Sequence, residues 1–235
     1  MARLRLAVKK EGALQFLSHL DFARAVRYVI IRAGLPICYS EGFNPHMKIN
    51  FASALGVGVS ADVEYMDMEL KEKLPVQDVI QRMNAMSPNG FAVLDGKYVD
   101  SAAKKLMAAA NYAVYDLTGP VRSGYTQAEL DAVLQAFNDA PSVVYKKVLP
   151  KGKGKIRLIE IKHHVIDAVT GTTDGTNVAL RLAIYQTEEG AVKPSQVWDV
   201  LCTQFHLPVE PDRMLACRRG IYQRKGEEIC SLFDV

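Results

Sequence analysis

The spacing of apolar residues changes before Gly34 from a period of two to one of about 3.6, and that switch constrains the fold more than any other feature. From Arg3 to Lys9 the chain alternates: Leu4, Leu6 and Val8 share one face, and Arg3, Arg5 and Lys9 share the other. This is the pattern of a half-buried strand. At Ser18 the pattern turns helical. Ser18 is an N-cap, Asp21 stands at the capping-box position, and Leu17 and Phe22 form a hydrophobic staple. Phe22, Val26, Val29, Ile30 and Ala33 fall on one stripe, and Gly34 stops the helix. Arg24 and Arg27 lie on the opposite side.

The same alternation of periods continues. Pro36 to Ser40 reads as a short strand, residues 41–46 as turn chemistry around Phe43, and Ile49 to Ala52 as a strand. Glu64 to Leu70 alternates, with Glu64, Met66, Met68 and Leu70 in phase. If the methionines face the core, the Glu64 carboxylate is buried and must be paired or neutralised. A helix from Val76 to Met86 and a strand from Phe91 to Val99 complete the order β-α-β-β-α-β, the ferredoxin-like pattern. Ser101 to Ala110 reads as a helical connector.

A second half repeats the order without visible sequence identity. A strand at Tyr112–Leu117 precedes a helix capped by Thr126 and Glu129, with a Tyr125–Leu130 staple. Val143–Leu149 and Ile156–His163 flank a Lys-Gly-Lys-Gly-Lys turn, a hairpin signature. A turn at Thr172–Gly175, a strand at Val178–Tyr185, a helix from Pro194 to Phe205 and a strand at Met214–Tyr222 follow. The expected architecture is α+β: two ferredoxin-like units in tandem, with mostly antiparallel sheets and helices on one face. Their expected bounds are residues 1–100 and 111–235.

Composition removes several function classes. Apolar residues make up 49% and charged residues 23%, a globular balance. No apolar run approaches the length of about 20 residues that spans a bilayer, and no secretory signal is visible, so a cytoplasmic chain with no membrane partner is expected. Cys38, Cys202, Cys217 and Cys230 form no Cys-x-x-Cys pair. No metal site and no cofactor are expected in this chain.

The net charge of +3 predicts no partner, but its distribution does. Lys146 to His164 holds seven Lys/Arg and one acid, Glu160; Arg213 to Lys225 holds five Lys/Arg and no acid. Clustered positive charge attracts polyanions. Arg3, Arg5, Lys151, Lys153, Lys155, Arg157, Arg218 and Arg219 are therefore candidate nucleic-acid contacts. The two strand arginines are expected on the sheet face left open by the helices, the face RNA-recognition modules use. His46, in a loop beside Asn44 and Lys48, is a candidate general acid–base. His163 and His164 point to opposite faces of a strand and are not placed to share a metal.

The motif Phe16-Leu17-Ser18-His19-Leu20-Asp21, then Arg24 and Arg27, then Ala33-Gly34-Leu35-Pro36-Ile37 and Tyr39-Ser40-Glu41-Gly42-Phe43-Asn44-Pro45-His46, resembles the radical-SAM-linked protein family, a bacterial domain of unknown function. The match continues through Lys48, Ile49, Phe51, Ala52, Leu55 and Gly58 to Glu64. The resemblance implies a stand-alone form of a domain that elsewhere is fused to, or encoded beside, radical-SAM proteins, in contexts that include RNA processing. It implies a radical-SAM protein as partner. Physically, Ser18, His19 and Asp21 open a helix whose N–H groups favour an anion. With Arg24, Arg27, Ser40, Phe43, Asn44, His46 and Lys48 they could form one polar pocket, and Glu64 could orient an Arg or Lys. The expected function is a non-catalytic RNA-binding accessory acting with a radical-SAM enzyme on tRNA or rRNA. The alternatives are an RNA endonuclease or transferase using His46, or a protein adaptor for the radical-SAM partner.

Overall fold

The structure, a computed structural model, describes residues 1–100, 102–148, 155–187 and 190–235. In chain order its regular elements are β1 (Ala2–Lys10), α1 (His19–Arg32), β2 (Ile49–Phe51), β3 (Val59–Leu70), α2 (Val76–Ala85), β4 (Phe91–Val99), α3 (Leu106–Ala109) and β5 (Tyr112–Pro120). There follow α4 (Gln127–Asp139), β6 (Val144–Val148), β7 (Ile156–Glu160), β8 (Thr170–Thr173), β9 (Asn177–Tyr185), α5 (Pro194–Gln204), β10 (Leu215–Lys225) and β11 (Glu228–Ser231). The chain is thus mixed α/β with five α-helices among the described residues. It divides into two compact units. One comprises Met1–Asn111 with Arg218–Val235, the other Tyr112–Cys217. The division differs from a simple cut near residue 111, because the last 18 residues return to the first unit.

In the first unit β1 pairs antiparallel with both β3 and β4, and β2 pairs antiparallel with β3. The register sets Leu4 opposite Met68, Leu6 opposite Met66, and Val8 opposite Glu64. One face of these strands packs on α1 and α2. Leu4, Leu6, Val8, Met66, Met68 and Leu70 meet Phe22, Val26, Ile30, Val79 and Met83 in one buried cluster. Each such side chain contributes roughly 1.5–3 kcal/mol by leaving water. Ser18 caps α1, accepting from the Asp21 amide, and Gly34 follows with φ of 59°, where a side chain would be strained.

The other face corrects an expectation. Arg5 is not on an open surface; it is fully buried. The chain's own C-terminal segment covers it. β11 pairs with β10, and a turn of 3₁₀ helix at Leu232–Asp234 follows. Phe233 packs edge-on against Tyr65 at 5.0 Å, and the Tyr65 and Ser231 hydroxyls lie 3.3 Å apart. Arg5 Nε and Nη2 donate to the two Asp67 oxygens at 2.7 and 3.0 Å, while Nη1 donates to the main-chain oxygens of Leu232 and Val235. Sequence alternation identified which side Arg5 points to, but a segment 227 residues away decides whether that side is wet.

In the second unit β5, β9 and β8 form an antiparallel array. α4 and α5 bury Leu130, Leu134, Phe137, Val197, Trp198 and Leu201. Thr126 and Glu129 close a full capping box, and Pro194 opens α5. Gly119 is required where it stands: an added Cβ would come 2.8 Å from the Trp198 ring. β6 and β7 form a separate two-stranded ribbon, with Val144 opposite Glu160, Lys146 opposite Leu158, Lys147 opposite Arg157 and Val148 opposite Ile156. Its foot is tied down by Gln204 Nε2 donating to the Val144 carbonyl and by Glu160 accepting from Ser142 and from the Val143 amide.

Two expected elements are shorter than the sequence pattern suggests. Pro36–Ser40 contributes only single bridges, Ile37 to Leu70 and Tyr39 to Met47. The connector before β5 has one helical turn, Leu106–Ala109. All four cysteines are unpaired.

Candidate functional site

The motif residues separate into two local networks. At the start of α1, the Ser18 hydroxyl donates to Asp21 at 2.7 Å, and Arg24 pairs with Asp21 at 3.2 Å. Arg27 lies on the exposed side of the same helix. In the loop, the Ser40 amide donates to the His46 carbonyl, and the His46 amide donates to the Ser40 hydroxyl at 2.9 Å. The Ser40–His46 segment is therefore a closed turn. Phe43, Asn44 and His46 are exposed on it, Phe43 completely. Lys48 pairs with Glu69 at 3.0 Å, and that carboxylate raises its pKa. Among the described residues, no hydrogen bond or ion pair joins Ser18, His19, Asp21, Arg24 or Arg27 to Ser40, Phe43, Asn44, His46 or Lys48. In their hydrogen bonding, the residues expected to line one pocket form a capped helix and a self-contained turn.

A different constellation sits beneath the start of α1. Glu64, Arg218 and Lys10 are all buried. Arg218 Nη1 donates to both Glu64 oxygens at 2.8 and 3.0 Å, and its Nη2 lies 3.4 Å from Ser53 Oγ. Lys10 reaches the main-chain oxygens of Gln15 at 3.5 Å and Leu17 at 3.4 Å, and stands over the Phe22 ring at 5.2 Å from its centroid. His19 packs edge-on against Phe51 at 5.4 Å, and Phe51 leans on Phe22. Burial lowers the Lys10 pKa and Arg218 adds to the lowering, while Glu64 opposes both. Burial likewise lowers His19, helped by the Lys10 charge. The Glu64 carboxyl is pushed up by burial against the pull of Arg218 and Lys10.

Two local causes put these groups inside. β3 carries Glu64 on the same side as Met66 and Met68, so the apolar phase of the strand buries it. β1 has an irregular register against β3 between Val8 and Lys10, the sort of bulge that re-aims a side chain. Sequence reasoning missed Lys10. Its signal was present, since Lys10 continues the Leu4, Leu6, Val8 series by one more step of two. Arg218, expected on phosphates, is instead the partner of Glu64. Arg219 pairs with Asp62.

The ribbon of the second unit gathers the other basic residues. On one face are Val144, Lys146, Val148, Ile156 and Leu158; on the other are Tyr145, Lys147, Arg157 and Ile159. Val148, Ile156 and Leu158 are each more than half exposed. Lys155 adjoins β7 and is exposed. Lys151 and Lys153 lie outside the described residues. Of the strand arginines, Arg3 donates to the main-chain oxygens of Asp100 and Ala103, so it is spent on the end of β4. Beside the ribbon a hollow of about 260 Å³ is lined by Arg157, Leu158, Glu160, His163 and His164. His164 is buried and its Nδ1 lies 3.1 Å from the Tyr185 carbonyl oxygen, while His163 is exposed.

Among the described residues no group of three or more His, Cys, Asp or Glu side chains is placed to hold a metal ion, and no helix is long and apolar enough to cross a membrane. No curated protein matches the chain. Among solved structures, an unknown protein from Galdieria sulphuraria is similar over 93% of this chain and 97% of its own, at 12% identity and a TM-score of 0.26, a likeness too slight to carry an argument. Residues 3–194 match the family described as "Uncharacterized protein conserved in bacteria (DUF2344)", and the chain belongs to that family.

Proposed function

We propose that the protein is an RNA-binding accessory that acts beside a radical-SAM enzyme in the modification or processing of tRNA or rRNA. The observation that carries the RNA reading is the β6–β7 ribbon. Lys147 and Arg157 are directly opposite each other across it. Two cations held side by side offer phosphate oxygens a shared contact. Lys146 and Lys155 extend the positive surface along the ribbon. A chain that neutralises phosphates with such residues gains affinity from released counterions.

The radical-SAM partner rests on the Ser18–Asp21 and Ser40–His46 motifs and the resemblance they carry. In the same reading the protein works in the cytoplasm. The strand order β4-β1-β3 with β2 beside β3, all antiparallel, supports a ferredoxin-like first unit, and β5-α4-β8-β9-α5 supports a second of the same kind.

The test is fluorescence anisotropy with bulk tRNA across a salt series. The expected plot of log affinity against log salt is linear, with a slope of about −0.7 to −0.9 per phosphate contact. Replacing Lys146, Lys147 and Lys155 together by Gln flattens that slope and weakens binding. Binding that ignores salt, or a triple variant that binds as the wild type does, refutes the ribbon as the RNA contact.

A further inference from the structure

Lys10 has no carboxylate within ion-pair distance among the described residues, although it is fully buried. Glu64 is the nearby acid, and both of its oxygens are held by Arg218. Among the described residues, Lys10 is therefore left without a carboxylate of its own. The two carbonyls that Lys10 touches, at 3.5 and 3.4 Å, lie beyond the usual N–H···O range of about 2.7–3.2 Å. A buried ammonium with one carboxylate already committed elsewhere is an unbalanced charge, and such groups are costly unless something pairs them.

What covers Lys10 is light. The carbonyls come from the 3₁₀ turn Gly12–Phe16 and from Leu17 just after it, and that turn buries none of its own side chains. The Gln15 carbonyl also accepts from the Gly58 amide. The half-buried rings of His19 and Phe51 stand beside this cover. Within the turn, Leu14 packs on the edge of the aliphatic core, so lifting the turn gives up that contact while the buried cluster beneath it stays closed.

We propose that Lys10, flanked by the Glu64–Arg218 pair and by His19, is the floor of a binding site for a phosphate group, reached when the Gly12–Phe16 turn lifts. A compact ammonium with three donors suits a tetrahedral oxyanion, which can accept from several directions at once. His19, its pKa lowered, stays largely neutral and can donate from one ring nitrogen without adding a third charge. The phosphate supplies the missing negative charge and replaces two long carbonyl contacts. Glu64 keeps Arg218 in place and takes no part in the contact. The site lies wholly in the first unit and does not depend on the RNA reading of the ribbon.

The experiment uses the full chain and inorganic phosphate, against chloride at matched ionic strength. Thermal unfolding of the wild type should shift upward by a few degrees, saturably, with phosphate and not with chloride. Lys10→Met, which fills the same space without the charge, should lose that shift; the ribbon triple Gln variant should keep it. If Lys10→Met keeps the shift, or if the ribbon variant alone loses it, the proposal is overturned. A second measurement needs no variant. Acetylation of Lys10 by acetic anhydride, followed by peptide mass mapping, should slow at least tenfold when phosphate saturates, while Lys146 and Lys147 change little. An unchanged Lys10 rate overturns the proposal. A phosphorylated small molecule and an RNA 5′ phosphate are separated by repeating the mapping with AMP and with 5′-phosphorylated and 5′-hydroxyl RNA. Slowing by AMP identifies a free nucleotide as sufficient; slowing only by 5′-phosphorylated RNA assigns the site to an RNA end.

Discussion

The two units treat positive charge in opposite ways. In the first, Arg5, Lys10 and Arg218 lie inside, and the arrangement around each answers to its burial: Asp67 and two main-chain oxygens for Arg5, Glu64 for Arg218, long carbonyl contacts for Lys10. In the second, Lys146, Lys155 and Arg157 are exposed on or beside a two-stranded ribbon with exposed aliphatic neighbours. A count of basic residues along the sequence cannot tell these situations apart. Neighbouring Arg218 and Arg219 make the point, since one is buried against Glu64 and the other is exposed against Asp62. Charge inside is a matter of specific partners, whereas charge outside is a field available to a ligand.

Breaking the inner pair should have the largest effect. Glu64→Gln leaves Arg218 charged and buried, and the expected cost is about 3–5 kcal/mol in urea unfolding. Replacing both members by apolar residues, Glu64→Leu with Arg218→Met, should recover most of the loss. A single variant as stable as the wild type would show that water reaches the pair. Asp67→Asn should cost less, about 1.5–3 kcal/mol, because Arg5 keeps its main-chain acceptors at Leu232 and Val235. Equal losses at the two sites would mean that the C-terminal segment contributes nothing to holding Arg5.

These sites also show how far the sequence was readable. The capped helices, the alternating strands and the burial of Glu64 follow from local spacing, and α1, α4 and α5 begin where Ser18, Thr126 and Pro194 place them. The covering of Arg5 was not readable, because it depends on a segment more than 200 residues away. Lys10 was half readable: its phase was in the sequence, but a lysine at the end of an apolar series is ordinarily assigned to solvent. The Ser40–His46 motif was legible as a turn and remains one. Its chemistry was not legible, because its polar bonds close on themselves.

Lys10→Met sharpens the contrast in the other direction. Its folded-state pKa is lowered, so protonation is disfavoured in the folded chain. The penalty is complete below the lowered value and falls away as pH rises from that value toward 10.5. Without phosphate, the variant should be more stable than the wild type below that value and lose the alkaline rise in stability. On the ribbon, Lys146, Lys147 and Lys155 changed together to Gln should leave stability within about 0.5 kcal/mol of the wild type, as surface changes do, even as RNA affinity falls. A large loss of stability there would make the ribbon structural.

The smallest effect tests whether an exposed acid in the second unit can matter to stability without burial. Asp174 accepts from the Thr176 and Asn177 amides at 2.8 and 2.7 Å and from the Thr176 hydroxyl at 2.8 Å. These bonds to the charged form, with the two amides foremost, hold its pKa at about 2 against an ordinary 3.8. The sign is opposite to that of Lys10. The lowered carboxyl stabilises the turn above its unfolded pKa, and the contribution is lost as pH falls from about 4 through about 2. In Asp174→Ala, unfolding followed from pH 5 to pH 2 should therefore show a shallower acid decline than in the wild type. Identical acid limbs would mean that the Thr173–Asn177 turn is held by its backbone bonds and the Thr173 hydroxyl alone. The acid decline would then be sought at Glu129 and Glu160 of the second unit, whose carboxyl pKa values are also lowered.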